Sequence, residues 1–154
     1  MTVSDGGRSE RRFLLDVMLG KLATFLRMCG HDTAYALDRG IEADERILRL
    51  ATAENRTLLT RDEQLAAQAD DAILLTERDV EDQLRELRAA GVDLSLPARP
   101  RRCSNCNGEL APADADEAPA YVPDDTETYR CRDCGQWFWR GSHWADVRET
   151  LAAL

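Results

Sequence analysis

Short apolar runs alternate with helix-like spacing through the first two-thirds of the chain. Phe13 to Leu15 is an uninterrupted apolar run that ends at Asp16, which is typical of a buried strand. Apolar residues then recur every three or four positions from Leu19 to Cys29, as they do on one face of a helix. Gly30 follows at the position where helices commonly end. This stretch therefore predicts a strand followed by an amphipathic helix.

The same alternation continues to about residue 91. It predicts strands over residues 33–37, 57–60 and 72–76, and helices that begin near Asp44, Asp62 and Val80. Asp44 and Asp62 stand where an N-cap residue belongs. Strands that alternate with helices of this length predict an α/β fold with a mainly parallel sheet and helices on both faces. In such sheets, ligands bind at the carboxyl ends of the strands.

The pattern changes after residue 91. Residues 92–102 contain two prolines and three arginines and are typical of a linker. Two Cys-x-x-Cys pairs follow, and the Ala-, Pro- and acid-rich stretch between them, residues 111–127, is interpreted as a solvated loop or short hairpin tips. We therefore predict two domains, a larger one over residues 12–95 and a smaller one over residues 101–150.

The two cysteine pairs fit a tetrahedral zinc site, because each tight turn offers two thiolates and four ligands complete the coordination. A site with four protein ligands has no open position, so this zinc is expected to be structural. A thioredoxin-like redox motif needs one such pair rather than two, and disulfides are rare in a reducing cytoplasm. The predicted zinc ligands are Cys103, Cys106, Cys131 and Cys134.

The composition excludes some classes of protein. Among 154 residues, 44% are hydrophobic, but no apolar run is longer than four residues, so no membrane span is predicted. The first dozen residues contain no apolar stretch that could direct export, and we expect a cytoplasmic protein.

The charge is strongly acidic, with 29 Asp and Glu against 20 Lys and Arg. Lys21 is the only lysine, and the bias towards Asp and Arg indicates either a very salty cytoplasm, as in a halophile, or a GC-rich genome. An acidic chain normally argues against binding nucleic acid, but this objection weakens in molar salt, where charges are screened within about 3 Å.

Several carboxylates follow the ends of the predicted strands. Asp16 ends the first, Asp62 follows the third, and Asp44 starts the second helix, so all three are expected at one rim of the sheet. Carboxylates at close range repel one another unless a cation neutralises them, and Mg²⁺ or Mn²⁺ prefers such oxygen ligands. Possible additional members are Asp38, Glu45 and Asp79. The alternative for Asp44, Asp62 and Asp79 is that each only caps its helix.

Several segments resemble one known family. Phe13-Leu14-Leu15-Asp16, Gly30-His31-Asp32-Thr33, Leu58-Leu59-Thr60-Arg61-Asp62 and Gly141-Ser142-His143-Trp144 are similar to motifs of the Mut-seven C-terminal ribonuclease family. The resemblance spans about residues 12–150 and implies a PIN-like nuclease domain followed by a zinc ribbon. It also implies acidic metal ligands, here Asp16, Asp44 and Asp62. The long acidic insert between the cysteine pairs departs from the family's pattern.

Aromatic residues are concentrated after the second cysteine pair. They are candidates for stacking on RNA bases, and the alternative is that they pack the small domain against the larger one. Lys21 and His143 are further candidates for contact with the substrate phosphate. The possible RNA contacts are Trp137, Trp139, Arg140 and Trp144.

These features together predict a metal-dependent, PIN-like ribonuclease. Asp16, Asp44 and Asp62 would hold Mg²⁺ or Mn²⁺, which would activate water for attack on an RNA phosphodiester. RNA is the expected partner, and the sequence indicates neither the oligomeric state nor the RNA that is cleaved. Two alternatives remain: a non-catalytic RNA- or protein-binding module that works through its zinc ribbon, and the toxin of a toxin–antitoxin pair.

Overall fold

The computed structural model describes residues 11–154. The first part of the chain is a four-stranded parallel sheet flanked by helices. Its strands are β1 (Phe13–Leu15), β2 (Thr33–Tyr35), β3 (Thr57–Thr60) and β4 (Ala72–Leu74). Its helices are α1 (Gly20–Met28), α2 (Asp44–Ala53), α3 (Glu63–Gln68) and α4 (Val80–Ala89), and a 3-10 helix covers Ala36–Arg39.

The strand order creates a switch point in the middle of the sheet. The order is β2-β1-β3-β4, so the chain leaves β1 towards one edge and later returns to add β3 on the other side. Leu15 pairs with Tyr35 on β2 and with Leu59 on β3, so the three strands end level with one another. A crevice outside the carboxyl ends of strands at such a switch point is the usual ligand site of an open α/β sheet.

Each face of the sheet has its own apolar core. Phe13 and Leu15 point to the face covered by α1 and α4, whereas Leu14 and Leu58 point to the face covered by α2 and α3. Side chains alternate between the faces of a strand, so a strand buried on both faces must be apolar throughout. This explains the uninterrupted apolar run in β1 and confirms the predicted α/β class.

Element ends differ from the prediction in three places. The strands expected over 33–37 and 72–76 end earlier, at Tyr35 and Leu74. After Tyr35 the chain turns into the 3-10 helix, which ends at Gly40 with a φ of 66°. The expectation that Asp44 caps α2 is wrong, because Ala43 occupies the N-cap and no side chain caps the helix.

The C-terminal part forms a second, antiparallel sheet of order β5-β6-β7. Its strands are β5 (Leu110–Ala113), β6 (Thr128–Cys131) and β7 (Trp137–Phe138), with a short 3-10 helix over Ala115–Glu117. We call these strands and the two cysteine pairs the ribbon. The interpretation of residues 111–127 as loop is wrong for 111–113, which pair with β6. Pro112 fits there because β5 is an edge strand.

The last helix, α5 (Ser142–Ala152), returns to the larger sheet. Its buried residues Trp144, Val147 and Leu151 belong to the same apolar core as α1 and α4. The ribbon is therefore held between two segments of chain that both contact the larger sheet. No helix within residues 11–154 is long and apolar enough to cross a membrane.

Candidate functional site

Asp16 lies at the carboxyl end of β1, at the switch point of the sheet. Its side chain is buried, with 5% of the residue exposed. One carboxylate oxygen accepts a hydrogen bond from the Thr60 hydroxyl (2.7 Å) and the other accepts one from the Val17 backbone N–H (2.8 Å). Within residues 11–154, no Lys, Arg or His nitrogen lies within 4 Å of this carboxylate. Asp16 is thus a buried carboxyl group whose described contacts include two neutral donors and no cation.

Thr60 links Asp16 to Asp62. Its buried hydroxyl donates to Asp16 and accepts a hydrogen bond from the Asp62 backbone N–H (3.0 Å). Asp62 caps α3, because its Oδ1 accepts from the N–H groups of Gln64 (2.9 Å) and Leu65 (3.2 Å). The second oxygen, Oδ2, has no hydrogen bond to the described residues. Capping therefore occupies only one of the two carboxylate oxygens of Asp62.

Tyr35 interacts with the surroundings of both Asp16 and Asp38. Its hydroxyl donates a short hydrogen bond to the carbonyl of Val17, the residue after Asp16. Burial raises the pKa of Tyr35, and the negative charges of Asp38 and Asp16 raise it further. Asp38 also pairs with Arg27 across 3.3 Å. Two carboxylates thus lie near one phenol at this edge.

The other acidic candidates form no side-chain hydrogen bond or ion pair with these residues in the described part of the chain. Asp44 and Glu45 are exposed in the first turn of α2, and Asp44 has no side-chain hydrogen bond to residues 11–154. Asp79 occupies the N-cap of α4 but does not cap it through its side chain. The aspartates predicted as metal ligands do not form a cluster as close as the cysteines. Within residues 11–154, the four cysteines are the only group of at least three His, Cys, Asp or Glu side chains whose ligand atoms all lie within 4.8 Å.

Two basic side chains frame the same edge. Lys21 is exposed on α1. Arg61, between Thr60 and Asp62, carries the one buried side-chain nitrogen without a hydrogen-bond partner in the described part of the chain, its Nε. The positive charge of Arg61 contributes to lowering the pKa of Glu86 on α4. The sequence-based prediction did not include Arg61, although its place directly before Asp62 was a usable signal.

The four cysteines form a compact group. The sulfur of Cys103 lies 3.7 Å from that of Cys134, and the sulfur of Cys106 lies 3.5 Å from that of Cys131. A tetrahedral site with zinc–sulfur bonds of about 2.3 Å has sulfur–sulfur edges of about 3.8 Å. The four thiols could therefore hold a zinc ion.

Both cysteine turns have the same backbone. In each turn the first cysteine's N–H bonds to the carbonyl five residues later, and its carbonyl accepts from the N–H four residues later. Asn107 and Gly135 occupy the left-handed conformation at equivalent positions, with φ values of 74° and 80°. Burial raises the pKa of Cys103, whereas backbone N–H groups of Cys134 and Asp133 overcome burial and lower the pKa of Cys131 to about 7. These N–H groups favour the thiolate, which is the form that binds metal.

The first cysteine turn is attached to the larger sheet through Arg27. Arg27 lies on α1 and is only 4% exposed, although arginines on helices are usually solvated. Its Nε donates to the Thr33 carbonyl (2.9 Å), and its Nη1 donates to the carbonyls of Ser104 (3.2 Å) and Asn105 (3.3 Å). The guanidinium therefore joins α1, β2 and the cysteine turn.

A second attachment lies at the amino end of β2. The Asn107 amide accepts from the Thr33 N–H (2.9 Å) and donates to Asp32 (2.8 Å), so it extends the edge strand with a side chain. Asp32 also accepts from the buried Arg56 (2.8 Å). Burial opposes ionisation of Asp32, but the hydrogen bonds from Asn107 and Arg56 prevail and lower its pKa to about 2.

The aromatic residues of the ribbon are largely used for packing. Trp137 is 8% exposed and Trp144 is 7% exposed. Trp137 lies beneath the Arg130 guanidinium, 5.2 Å from the ring centre, and Trp139 contacts Tyr121. Arg140 donates to the Ala98 carbonyl (3.0 Å) and pairs with Glu127 (3.1 Å), and His143 is exposed at the start of α5.

Comparison with known proteins gives one match. The model of a protein family described as the Mut7-C RNAse domain matches residues 11–151, which is nearly the whole chain. No curated protein and no solved structure matches the chain significantly.

Proposed function

We propose, from the premise that this chain belongs to the Mut7-C RNAse domain family, that it is a ribonuclease with its reaction centre at the carboxyl edge of the parallel sheet. The substrate on this proposal is RNA, and the reaction is hydrolysis of a phosphodiester bond. Asp16 is its central residue, with Asp62 beside it. The ribbon has a structural role.

The environment of Asp16 carries the proposal. A buried carboxylate costs free energy unless a positive charge compensates it, and the described contacts of Asp16 supply only neutral donors. The residue stands at the switch point, where sheets of this type bind ligands. A divalent cation supplies the missing charge.

The donor set suits Mg²⁺ or Mn²⁺. Mg²⁺ keeps several waters and is commonly held by only one or two carboxylates together with substrate phosphate, so a close cluster of three carboxylates is not required. Asp16 and the free oxygen of Asp62 are the proposed ligands, and Thr60 holds both residues in place. Such an ion lowers the pKa of bound water and stabilises charge on phosphate oxygens. Arg61 is half-buried between Thr60 and Asp62, and the accessible end of its guanidinium is suited to contact the RNA phosphate.

Asp38 is a better supported third acidic residue than Asp44. This choice is supported by the pKa of Tyr35, which burial raises and which the negative charges of Asp38 and Asp16 raise further. Asp44 makes no comparable contact within the described residues. We therefore propose that Asp38 assists Asp16 and Asp62, and that Asp44 has a lesser role.

The cysteine site is proposed to hold structural zinc. Four sulfurs satisfy a tetrahedral ion and leave no position for substrate or water. The zinc would then fix the two cysteine turns. The first turn accepts hydrogen bonds from Arg27, and its Asn107 accepts one from Thr33 on β2.

The decisive experiment is cleavage of a mixed RNA pool with Mn²⁺, comparing the wild type with Asp16→Asn. Asparagine has nearly the same shape but lacks the charge, so we expect hydrolysis to fall below detection while the fold remains. Titration of Mn²⁺, followed by its electron paramagnetic resonance, should show the loss of one site in the variant.

Asp146→Asn is the matched control, because Asp146 is an exposed aspartate on α5. It should retain wild-type activity and Mn²⁺ binding. Wild-type turnover in Asp16→Asn would refute the mechanism. RNA binding without Mn²⁺ binding or cleavage in the wild type would favour a non-catalytic binding module instead.

A further inference from the structure

A cleft opens at the amino end of β2, at the opposite edge of the sheet from Asp16. It has a volume of about 320 Å³ and is bounded by Asp32 on the sheet side and by Leu110 and Tyr129 on the ribbon side. The segment 99–102, which leads into the first cysteine turn, forms part of its wall. This segment contributes three arginines, Arg99, Arg101 and Arg102.

The main carboxylate of the cleft is already neutralised. Asp32 accepts hydrogen bonds from Arg56 (2.8 Å) and Arg12 (3.3 Å), neither of which belongs to the cleft's arginine segment. Arg102 lies 3.9 Å from Asp32, a long contact for an ion pair. Asp32 therefore does little to compensate the charges of the segment 99–102.

Arg99 and Arg101 are the uncompensated cations. Both are exposed, and within residues 11–154 no carboxylate oxygen lies within 4 Å of either guanidinium. Glu109 is the remaining acidic residue in the wall and forms no ion pair with the described residues. The cleft therefore has an excess of positive charge in a chain whose net charge is −9.

Packing does not explain this excess. The stem of Arg101 runs past Gly30, with its δ-carbon 3.7 Å from where a β-carbon on that glycine would lie. An arginine stem can cover apolar surface while its charged end stays in water, so this contact accounts for the stem and not for the charge. In an acidic protein, two arginines in a concave site that form no ion pair with the described residues are suited to bind an anion.

We propose that this cleft binds the phosphate backbone of single-stranded RNA at the edge of the sheet opposite the reaction centre. The proposal rests on the proposed ribonuclease function and adds a substrate-holding site to it. Guanidinium groups donate paired hydrogen bonds to phosphate, and those of Arg99 and Arg101 make no hydrogen bond to residues 11–154 that would compete.

The walls favour phosphates over bases. Tyr129 is 4% exposed, so it presents little ring surface on which a base can stack. Asp32 precedes β2 and Tyr35 ends it, a span of three residues or about 10 Å at the usual strand rise. The length of β2 thus separates the cleft from the carboxylates, and an RNA chain of several nucleotides is needed to contact both.

The test is RNA binding measured separately from cleavage. A short fluorescent single-stranded RNA of mixed sequence is titrated with the zinc-loaded full chain, without Mg²⁺ or Mn²⁺, and anisotropy is followed between 50 and 200 mM salt. The variant is Arg99→Gln/Arg101→Gln. The matched control is Arg85→Gln/Arg88→Gln, which removes the same charge from exposed positions on α4.

We expect the cleft variant to bind RNA about tenfold more weakly at the lowest salt, because hydrogen bonds to a charged group are lost. The slope of log affinity against log salt should decrease in magnitude by about 1.4, since each contacted phosphate of a single strand contributes about 0.7. The control should match the wild type in both quantities.

Equal weakening in the two variants would overturn the proposal, because net charge alone would then explain binding. An unchanged salt slope in the cleft variant would overturn it as well.

The cleft proposal and the nuclease proposal fail in different ways. A wild type that binds through the cleft but does not cleave with Mn²⁺ contradicts only the reaction, and cleavage with unaltered binding in the variant contradicts only the cleft.

Discussion

Single residues at the cysteine turns show how closely the backbone must approach the metal ligands. Gly108 follows the first cysteine pair, and a β-carbon there would lie 2.6 Å from the Cys131 sulfur and 2.7 Å from the Asp133 carboxylate. Both distances are far below van der Waals contact. Glycine is required at this position by space, whereas at Gly40 it is required by a φ of 66° with nothing within 4 Å.

This contrast leads to a prediction for Gly108→Ala. The added methyl must displace the Cys131 sulfur, so we expect zinc affinity to fall by about tenfold or more, as for other changes that move a metal ligand. Competition with a chromophoric chelator measures it. Gly40→Ala is the control, and it should lower stability through backbone strain without changing zinc affinity. Equal zinc affinities in the wild type, Gly108→Ala and Gly40→Ala would contradict the prediction.

At the scale of elements, α1 joins the two halves of the molecule through one buried cation. Arg27 bonds to the β2 backbone, to two carbonyls of the first cysteine turn and to Asp38. Within residues 11–154 these two carbonyls accept from no other charged side chain, and Asp38 is one of the proposed acidic residues of the reaction edge. The helix therefore couples the position of the ribbon to that of an acidic side chain.

We expect Arg27→Met to lower the free energy of unfolding by about 2–3 kcal/mol, because buried carbonyls lose a charged donor. Urea unfolding of the zinc-loaded protein measures this loss. Lys21→Met, on the exposed side of the same helix, should change stability by less than about 0.5 kcal/mol. A loss in Arg27→Met no larger than that of the control would show that the guanidinium contributes little to the attachment.

At the scale of the whole molecule, the ribbon is tied to the larger sheet on both sides. The cysteine turn contacts β2 through Asn107, and α5 contributes Trp144 to the core beneath α1 and α4. Unfolding of the ribbon would therefore remove contacts that stabilise the larger sheet. The two proposed domains, 12–95 and 101–150, are thus expected to unfold together.

Removal of zinc should lower the melting temperature of the entire chain in a single transition. We expect a decrease of roughly 10 °C or more, since each kcal/mol shifts the midpoint by about 2–4 °C for a chain of this size. Scanning calorimetry with and without a chelator measures it. Cys103→Ser, which already lacks a ligand, should show no further shift, and a separate unchanged transition of the sheet would contradict the coupling.

The candidate site was predictable only in part. Asp16 and Asp62 stand next to strand ends, so their place at the carboxyl edge followed from the alternation of strands and helices. Asp44 was predicted as a metal ligand with helix capping as the alternative, and the capping alternative is wrong because the helix begins at that residue. Thr60 and Tyr35 were missed as site residues because a buried threonine or tyrosine at a strand end has no distinctive pattern.

The amino-acid sequence by itself determined the order of the strands and helices up to residue 91, the parallel sheet, the four-cysteine group and the family. These follow from periodicity, spacing and local turns, which are properties of neighbouring residues. Only the tertiary structure decided that Arg27 is buried against Asn105, that Trp144 joins the larger core and that Arg99 and Arg101 line a cleft with an uncompensated charge. Such contacts join residues far apart in the chain, and they depend on how the packed elements bring distant side chains together.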